Sequence, residues 1–250
     1  MNKVLVSKGK KQVIDGKERT IRKPSQYYVK NSDFSCNEGY IKLLKTGKVK
    51  TNKGKDFFCF DSTFYDEFKQ LRRGAQIITP KDVGIILTET GLTKSSTVVE
   101  GGSGSGALAC RLASFIKQVY SYDIEKENIE LAKNNASELK LKNITFKLKD
   151  LTKKIDEVDV DAVILDIPNT EAAVKTALKA VKVGGFIVAY TPSIPQVMNF
   201  VEEATKQVSL QVIKTIELVE RQWKVNGRAV RPISEAIGHT AFLTFVRRVN

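Results

Sequence analysis

From about residue 95 onward, apolar positions alternate between two periods. Short apolar runs at Val98-Val99, Val119–Tyr122, Ile144–Phe146, Ala162–Leu165 and Phe186–Tyr190 read as strands. Between them apolar residues recur every three to four positions, which predicts helices over 106–117, 125–140, 170–182 and 195–207. Strand alternating with helix predicts an α/β domain with a parallel sheet covered on both faces. The rhythm then changes. Two long β patterns, Leu210–Glu220 and His239–Val249, close the chain, joined by a loop holding Trp223, Gly227, Arg228, Arg231 and Pro232. They predict an antiparallel hairpin at the end of the sheet. Residues 1–65 follow another pattern: short strand candidates punctuated by Lys8-Gly9-Lys10, Asp15-Gly16, Gly47 and Asn52-Lys53-Gly54. The expected division is a β-rich, barrel-like domain over 1–65, a helical linker over 66–94 and an α/β domain over 95–250. In the linker, Phe64–Leu71 reads as helix, and Thr79-Pro80-Lys81-Asp82 opens another that runs to Gly91.

Charge changes the picture of the first domain. Residues 1–55 hold 15 Lys/Arg against 4 Asp/Glu, most of the excess behind the chain's net +13. These basic residues alternate with strand-like runs such as Gln26-Tyr27-Tyr28-Val29 and Phe57-Phe58-Cys59-Phe60, so they belong to a folded module. A polyanion, most simply RNA, is the expected partner. Cys36, Cys59 and Cys110 are odd in number and share no metal-ligand spacing. They read as reduced thiols of a cytoplasmic protein, with no metal. No apolar run is long enough for a membrane span, and no secretory leader pattern is visible.

The most informative chemistry lies at Val98-Val99-Glu100-Gly101-Gly102-Ser103-Gly104-Ser105-Gly106, followed by Ala107, Leu108, Leu112 and Ile116 at helical spacing. A strand ends in a carboxylate, turns through glycines and enters a helix whose first N–H groups are free for a ligand. No Lys-Ser/Thr pair follows, so the loop is not a phosphate-binding P-loop. A carboxylate at the strand end would repel a pyrophosphate. The spacing Glu100-x-Gly102-x-Gly104-x-Gly106 resembles the first motif of class I S-adenosylmethionine-dependent methyltransferases. Three more strands end in acids: Asp123, 17 residues after Gly106, then Asp150 and Asp166. Open α/β sheets bind ligands along that edge. Any one of these acids also suits a helix N-cap, but four on one rim favour a site.

A resemblance narrows this further. Arg72-Arg73-Gly74-Ala75-Gln76-Ile77-Ile78-Thr79-Pro80-Lys81-Asp82, the Glu100–Leu108 loop, Leu165-Asp166-Ile167-Pro168, Gly184-Gly185 with Tyr190-x-Pro192-x-x-x-Gln196, Glu220-Arg221-x-Trp223, Arg231-Pro232 and Gly238-His239-Thr240-x-Phe242-Leu243 occur in that order. The chain resembles the archaeal tRNA (adenine-N1)-methyltransferases, which act at T-loop position 58. The stretch ending in Pro-Lys-Asp and the terminal Gly-His-Thr-x-Phe-Leu are the more specific pieces. The resemblance implies a Rossmann-like class I methyltransferase sheet, S-adenosylmethionine as donor, tRNA as substrate and a homotetramer. It also implies roles. Gln76 and the Glu100–Leu108 loop (Glu100, Gly102, Ser103, Gly104, Ser105, Gly106, Ala107 and Leu108) would hold the methionine tail. Asp123 would take the ribose hydroxyls, Asp150 with Leu151 the adenine end, and Asp166 would stand nearest the chemistry. Thr79, Pro168, Arg221, Trp223, Arg228 and Arg231 are the candidate substrate contacts. Two positions depart from the family. Asn169-Thr170 follow Pro168 where relatives continue with Pro and an aromatic, and Thr79 stands where relatives often carry Tyr or His. Both bear on how the base is walled in and on whether position 57 is a second target.

Three other readings compete. A methyltransferase for another base or for isoaspartyl residues would share the loop, but a peptide substrate would not need the basic module. A non-catalytic RNA-binding subunit would be expected to lose the glycines and acids that this chain keeps. A nicotinamide dehydrogenase would continue its βα alternation to the end. His239, the chain's single histidine, reads as a hydrogen-bonded structural residue at a strand start.

Overall fold

The computed structural model describes every residue except Met1, Ala75, Gln76, Gly227, Arg228 and Ala236, and every side chain except, in addition, those of Lys11, Lys17, Glu18, Asn226 and Ala229. The chain forms two compact units, residues 1–71 and 72–250.

The first unit is built on alternation. It contains β1 (Lys3–Ser7), β2 (Lys10–Ile14), β3 (Lys17–Arg22), β4 (Ser25–Val29), β5 (Phe34–Cys36), β6 (Gly39–Ile41), β7 (Gly47–Lys50) and β8 (Asp56–Asp61), closed by the short helix α1 (Phe64–Phe68). Four strands form an antiparallel sheet in the order β4-β1-β8-β7, and β2–β3 and β5–β6 are separate hairpins. Along β8, Phe57 and Cys59 are buried while Phe58 and Phe60 face solvent, as a one-sided sheet requires. The inner face packs Leu5, Val29, Phe34, Ile41 and Phe57, with Phe34 edge-on to Phe57 at 5.4 Å. A capping box between Thr63 and Asp66 starts α1. Lysines 10, 23, 42, 45, 48, 50 and 53 are exposed, and Lys8 lies 5.6 Å from the Phe58 ring centroid.

The second unit begins with α2 (Pro80–Thr90) and continues β9 (Thr97–Gly101), α3 (Ala107–Ala113), β10 (Gln118–Asp123), α4 (Lys126–Glu138), β11 (Ile144–Leu148), β12 (Val160–Leu165), a 3₁₀ turn at Thr170–Ala173, α5 (Val174–Ala180), β13 (Val181–Thr191), α6 (Ile194–Thr205) and β14 (Leu210–Glu217). A two-stranded ribbon, β15 (Trp223–Asn226) and β16 (Ala229–Pro232), precedes the last strand β17 (Phe242–Arg248). Seven strands make one sheet in the order β11-β10-β9-β12-β13-β17-β14, parallel except that β17 runs antiparallel to both neighbours. Alternate residues of each strand feed opposite layers. Val98, Ala162 and Ile164 pack with α2 and α3 through Ile86, Leu108 and Leu112. Val99, Val163 and Leu165 pack with α5 and α6 through Val174, Ala177 and Phe200. Both faces are covered, which is why β12 is apolar throughout.

The class I methyltransferase sheet with its antiparallel ending is the one expected from the sequence. Several element bounds differ. The helix expected over 106–117 ends at Ala113 and passes into turns, in which the Ile116 N–H still bonds Leu112 O at 3.0 Å and Ile116 joins the core. The helix over 170–182 is a 3₁₀ turn plus a helix that stops at Ala180, and β13 starts at Val181 and takes in Gly184-Gly185. The expected loop between the last two long strands contains the β15–β16 ribbon, paired from Trp223–Pro232 to Asn226–Ala229. Its exposed Trp223, Val225 and Val230 give no core-facing alternation, so it left no pattern of its own. Among the described residues no helix is long and apolar enough to cross a membrane.

Candidate active site

Strands β9 and β12 are neighbours from which the chain leaves in opposite directions across the sheet, and their carboxyl ends mark the crevice where such sheets bind ligands. Glu100 stands at the end of β9 and Asp166 just beyond β12. The glycine loop turns between them. Gly102 has φ +90°, and a Cβ there would lie 2.0 Å from the Asp166 carbonyl oxygen. Only glycine lets the loop pass this close. Gly102→Ala is expected to displace the loop and lower the melting midpoint by about 5 °C or more. An unchanged midpoint by calorimetry would contradict this packing. Gly106, also left-handed, opens α3 against Ala132. The loop is held from behind by Asn135, whose buried side-chain amide donates to Ser105 O at 2.8 Å.

The structure brings most of the candidate residues together. Glu100, Gly102, Ser103, Gly104, Ser105, Ala107, Leu108 and Asp166 line one pocket, joined by Ile77 and Ile78. Beside it, Asp123 Oδ2 accepts from the Gly104 N–H at 2.9 Å and Oδ1 from the Glu125 N–H at 2.9 Å, with Asn128 Nδ2 on both oxygens. Asp150 lies past β11, its Oδ1 taking the Thr152 hydroxyl and N–H, which hold its carboxyl below the usual range. Leu151 packs against Gly101. Pro168 offers its carbonyl to Gln196 at 3.0 Å. Arg221 and Trp223 lie on or beside the ribbon, the guanidinium 5.8 Å from the ring centroid, with Lys224 paired to Arg231 across it. None of these three candidate contacts lines the Glu100–Asp166 pocket. Gln76 and Arg228 lie outside the described residues.

The electrostatics centre on two carboxyls. Glu100 is completely buried. Its Oε2 accepts from the Ser121 hydroxyl, and Ser121 in turn accepts from Ser103 at 2.6 Å. Among the described residues Oε1 has no hydrogen-bond partner. Burial pushes the carboxyl up to about 8, although the Ser121 bond opposes the shift. Asp166 is pushed up to about 7 by loss of water, and among the described residues no group donates to its carboxylate. Two under-compensated acids facing one pocket call for a cationic ligand. That donor set fits S-adenosylmethionine, which carries an ammonium on its amino acid tail and a positive sulfonium.

Sequence reasoning missed Ser121, Asn128, Ile77 and Ile78. Ser121 sits two residues before Asp123 on the same strand and so faces the same side. Asn128 is one helical turn into α4. Ile77 and Ile78 carried no signal beyond lying in the Pro-Lys-Asp stretch. Thr79 stands at the N-cap of α2, but its hydroxyl bonds the Asp82 carboxylate and caps no backbone N–H.

Comparison with known proteins places this geometry. The family model described as tRNA methyltransferase complex GCD14 subunit matches residues 68–230, more than half of the chain. The chain belongs to the GCD14 tRNA methyltransferase family. The chain is similar to the tRNA (adenine(57)-N(1)/adenine(58)-N(1))-methyltransferase TrmI of Methanocaldococcus jannaschii, 33% identical over 230 residues, covering 80% of this chain and 81% of that protein. The tRNA (adenine(58)-N(1))-methyltransferase TrmI of Thermus thermophilus is 30% identical over 217 residues, with 85% of each chain covered. The crystal structure of tRNA (m1A58) methyltransferase TrmI from Aquifex aeolicus superposes with a TM-score of 0.76 at 23% identity, over 99% of this chain and 97% of that one, and supports the fold. This chain carries the glycine loop and all four strand-end acids within the matched span.

Proposed function

We propose that this protein transfers a methyl group from S-adenosylmethionine to N1 of an adenine in tRNA, at T-loop position 58. The observation that carries this reading is the pocket between Glu100 and Asp166, in a chain of the GCD14 family. S-adenosylmethionine, when bound, supplies an electrophilic methyl on a sulfonium. Glu100, with the backbone N–H groups of Ser105 and Ala107, holds the ammonium and carboxylate of its tail; the N–H groups of residues 102, 103, 104 and 106 are already bonded within the protein. Asp123 orients the ribose, and Asp150 with Leu151 the adenine end.

Adenine N1 has an in-plane lone pair, so it attacks without first losing a proton. What the protein must supply is alignment, which contributes on the order of 7–11 kcal/mol when both partners are held in line. Asp166 supplies charge as well. As a carboxylate it accepts from the N6 amino group, pushes electron density toward N1 and stabilises the cation that grows as the methyl arrives. N1 lies on the pairing edge, so the adenine must leave its stack to reach the pocket. Pro168 stiffens the turn that follows Asp166.

The basic first unit is the proposed tRNA dock. Its exposed lysines would track phosphates, and Phe58 and Phe60 give the same surface aromatic faces for unpaired bases. The ribbon with Arg221, Trp223 and Arg231 is a second contact. We place the protein in the cytoplasm as a homotetramer, as its resemblance implies. If the dock is right, tRNA affinity falls well over about tenfold between 50 and 200 mM salt, because several phosphates shed counterions. A flat titration by filter binding would argue against docking through this unit. The activity itself is checked with labelled donor and two unmodified transcripts. Incorporation is expected with adenine at position 58 and should vanish when that position is guanine.

A further inference from the structure

Thr79-Pro80-Lys81-Asp82 and Gly238-His239-Thr240 are among the most specific pieces of this sequence. Lys81, Asp82 and Thr240 have no part in the pocket or the transfer step above, yet they meet across more than 150 residues of chain. Asp82 is completely buried in the first turn of α2. Its Oδ1 accepts from Lys81 Nζ at 2.7 Å. Its Oδ2 accepts from the Thr79 hydroxyl at 2.8 Å, the Thr240 hydroxyl at 3.1 Å and the Tyr190 hydroxyl at 3.3 Å. Lys81 also donates to Thr240 Oγ1 at 2.8 Å, which leaves the one Thr240 proton for Asp82. All four partners donate, so the cluster is satisfied by a carboxylate balanced by one ammonium. A buried ion pair of this kind adds little stability over apolar side chains of equal volume. What it fixes is relative position.

Three pieces of the fold are bolted together here: the start of α2, the carboxyl end of β13 and the entry to β17. Each of them reaches toward the reaction. Ile77 and Ile78, just before Thr79, line the donor pocket. The Tyr190 hydroxyl feels Asp166 as well as Asp82; burial first, then these two carboxylates, raise it above the ordinary phenol value. Thr79, Lys81 and Thr240 line a separate hollow of about 190 Å³ together with Glu220, Gln222, Ile233, Glu235 and Ile237 of the segment carrying the ribbon. The neighbouring His239 anchors the same segment. Its two ring nitrogens face the Glu217 carboxylate and the Pro192 carbonyl oxygen, both acceptors, and its pKa is raised accordingly.

We propose that Asp82 is a positioning residue that keeps the donor pocket and the hollow under the ribbon segment in register, acting through Tyr190 and Thr240. The inference rests on the methyl-transfer reading and adds to it a residue that touches neither donor nor target. Loss of the register should slow transfer and leave donor binding alone. A displacement of the reacting atoms near 1 Å costs up to about a hundredfold in rate.

Thr240→Val removes two bonds of the cluster with little change in volume, and Tyr190→Phe removes one. The protein is assayed with tRNA transcript at saturating donor, and donor affinity is measured by calorimetry. We expect kcat to fall about tenfold or more in Thr240→Val and severalfold in Tyr190→Phe, with the donor Kd within about twofold of wild type in both. Thr240→Ser, which keeps the hydroxyl, should return most of kcat. Wild-type kcat in both Thr240→Val and Tyr190→Phe overturns the proposal. So does a donor Kd that rises in step with the loss of kcat. Should Thr240→Val fail to fold, Tyr190→Phe and Thr240→Ser decide by the same criteria. A wild-type protein that binds donor and methylates no tRNA defeats the underlying reading instead.

Discussion

Asp166→Ala lowers methyl transfer to tRNA by about 10²- to 10³-fold, the scale seen when a group aimed at developing charge is removed, and weakens donor binding far less. The reason is positional. Asp166 leaves β12 at the switch point of the sheet, with its N–H tied to Gly101 O at 2.9 Å and its carboxyl free of donors among the described residues. A carboxyl with no internal partner at a pocket wall is available to an incoming amino group. The pH dependence follows with a definite sign. Burial raises Asp166 to about 7, so the free acid dominates below that pH and no longer supplies the negative charge that stabilises the cation growing at N1. Transfer should therefore fall as pH drops below neutrality, and a bound cation should move this limb to lower pH. In Asp166→Asn the limb should disappear along with most of the rate. Single-turnover rates at saturating donor across pH 5.5–8.5 check both statements. A variant with near wild-type rates, or an acid limb that persists without Asp166, would refute the role.

The second large effect concerns Glu100. It is buried with no cation paired to it among the described residues, and its pKa is raised from 4.5 to about 8. Below 4.5 the group is neutral in both the folded and the unfolded chain and makes no difference. Above 4.5 the unfolded chain ionises while the folded one stays protonated. Each pH unit in that window then costs the empty folded state about 1.4 kcal/mol, and the cost levels off above about 8. Glu100→Gln removes the ionisation and keeps an oxygen for the Ser121 hydroxyl. The empty variant is thus expected to be more stable than wild type by a few kcal/mol at pH 8 and about equal near pH 4.5. The same change removes the partner of the donor's ammonium, so S-adenosylmethionine and its demethylated product should both bind at least about tenfold more weakly. Melting curves at several pH values and calorimetric titration measure the two sides. A stability gap that does not grow with pH, or unchanged donor affinity, would contradict this account of the residue.

Much of this was legible in the chain because it depends on short-range pattern. The glycines at 102, 104 and 106 announce a close turn, and Asp123 and Asp166 fall at the ends of apolar runs whose length sets where each strand stops. The antiparallel ending was legible from the absence of a helical period after Leu210. What escaped depends on long-range packing. Ser121 becomes a relay to Glu100 only because β10 lies beside β9 in register. The Asp82 cluster gathers residues from three distant segments, and nothing local distinguishes its acid from an ordinary first-turn aspartate. The β15–β16 ribbon is exposed on both faces, so burial imposed no alternation to read. The helices expected to reach 117 and 182 stop at Ala113 and Ala180, and helix ends are the part of an element that a local period marks least sharply.

The most direct test of the central claim is to map the product. Unmodified tRNA transcript is incubated with the protein and S-adenosylmethionine, digested, and its fragments are read by mass spectrometry. The account predicts 1-methyladenosine in the T-loop fragment at position 58, absent when Asp166 is replaced by Ala. Methylation of another base or another atom, or intact tRNA after incubation with donor-bound protein, would contradict it.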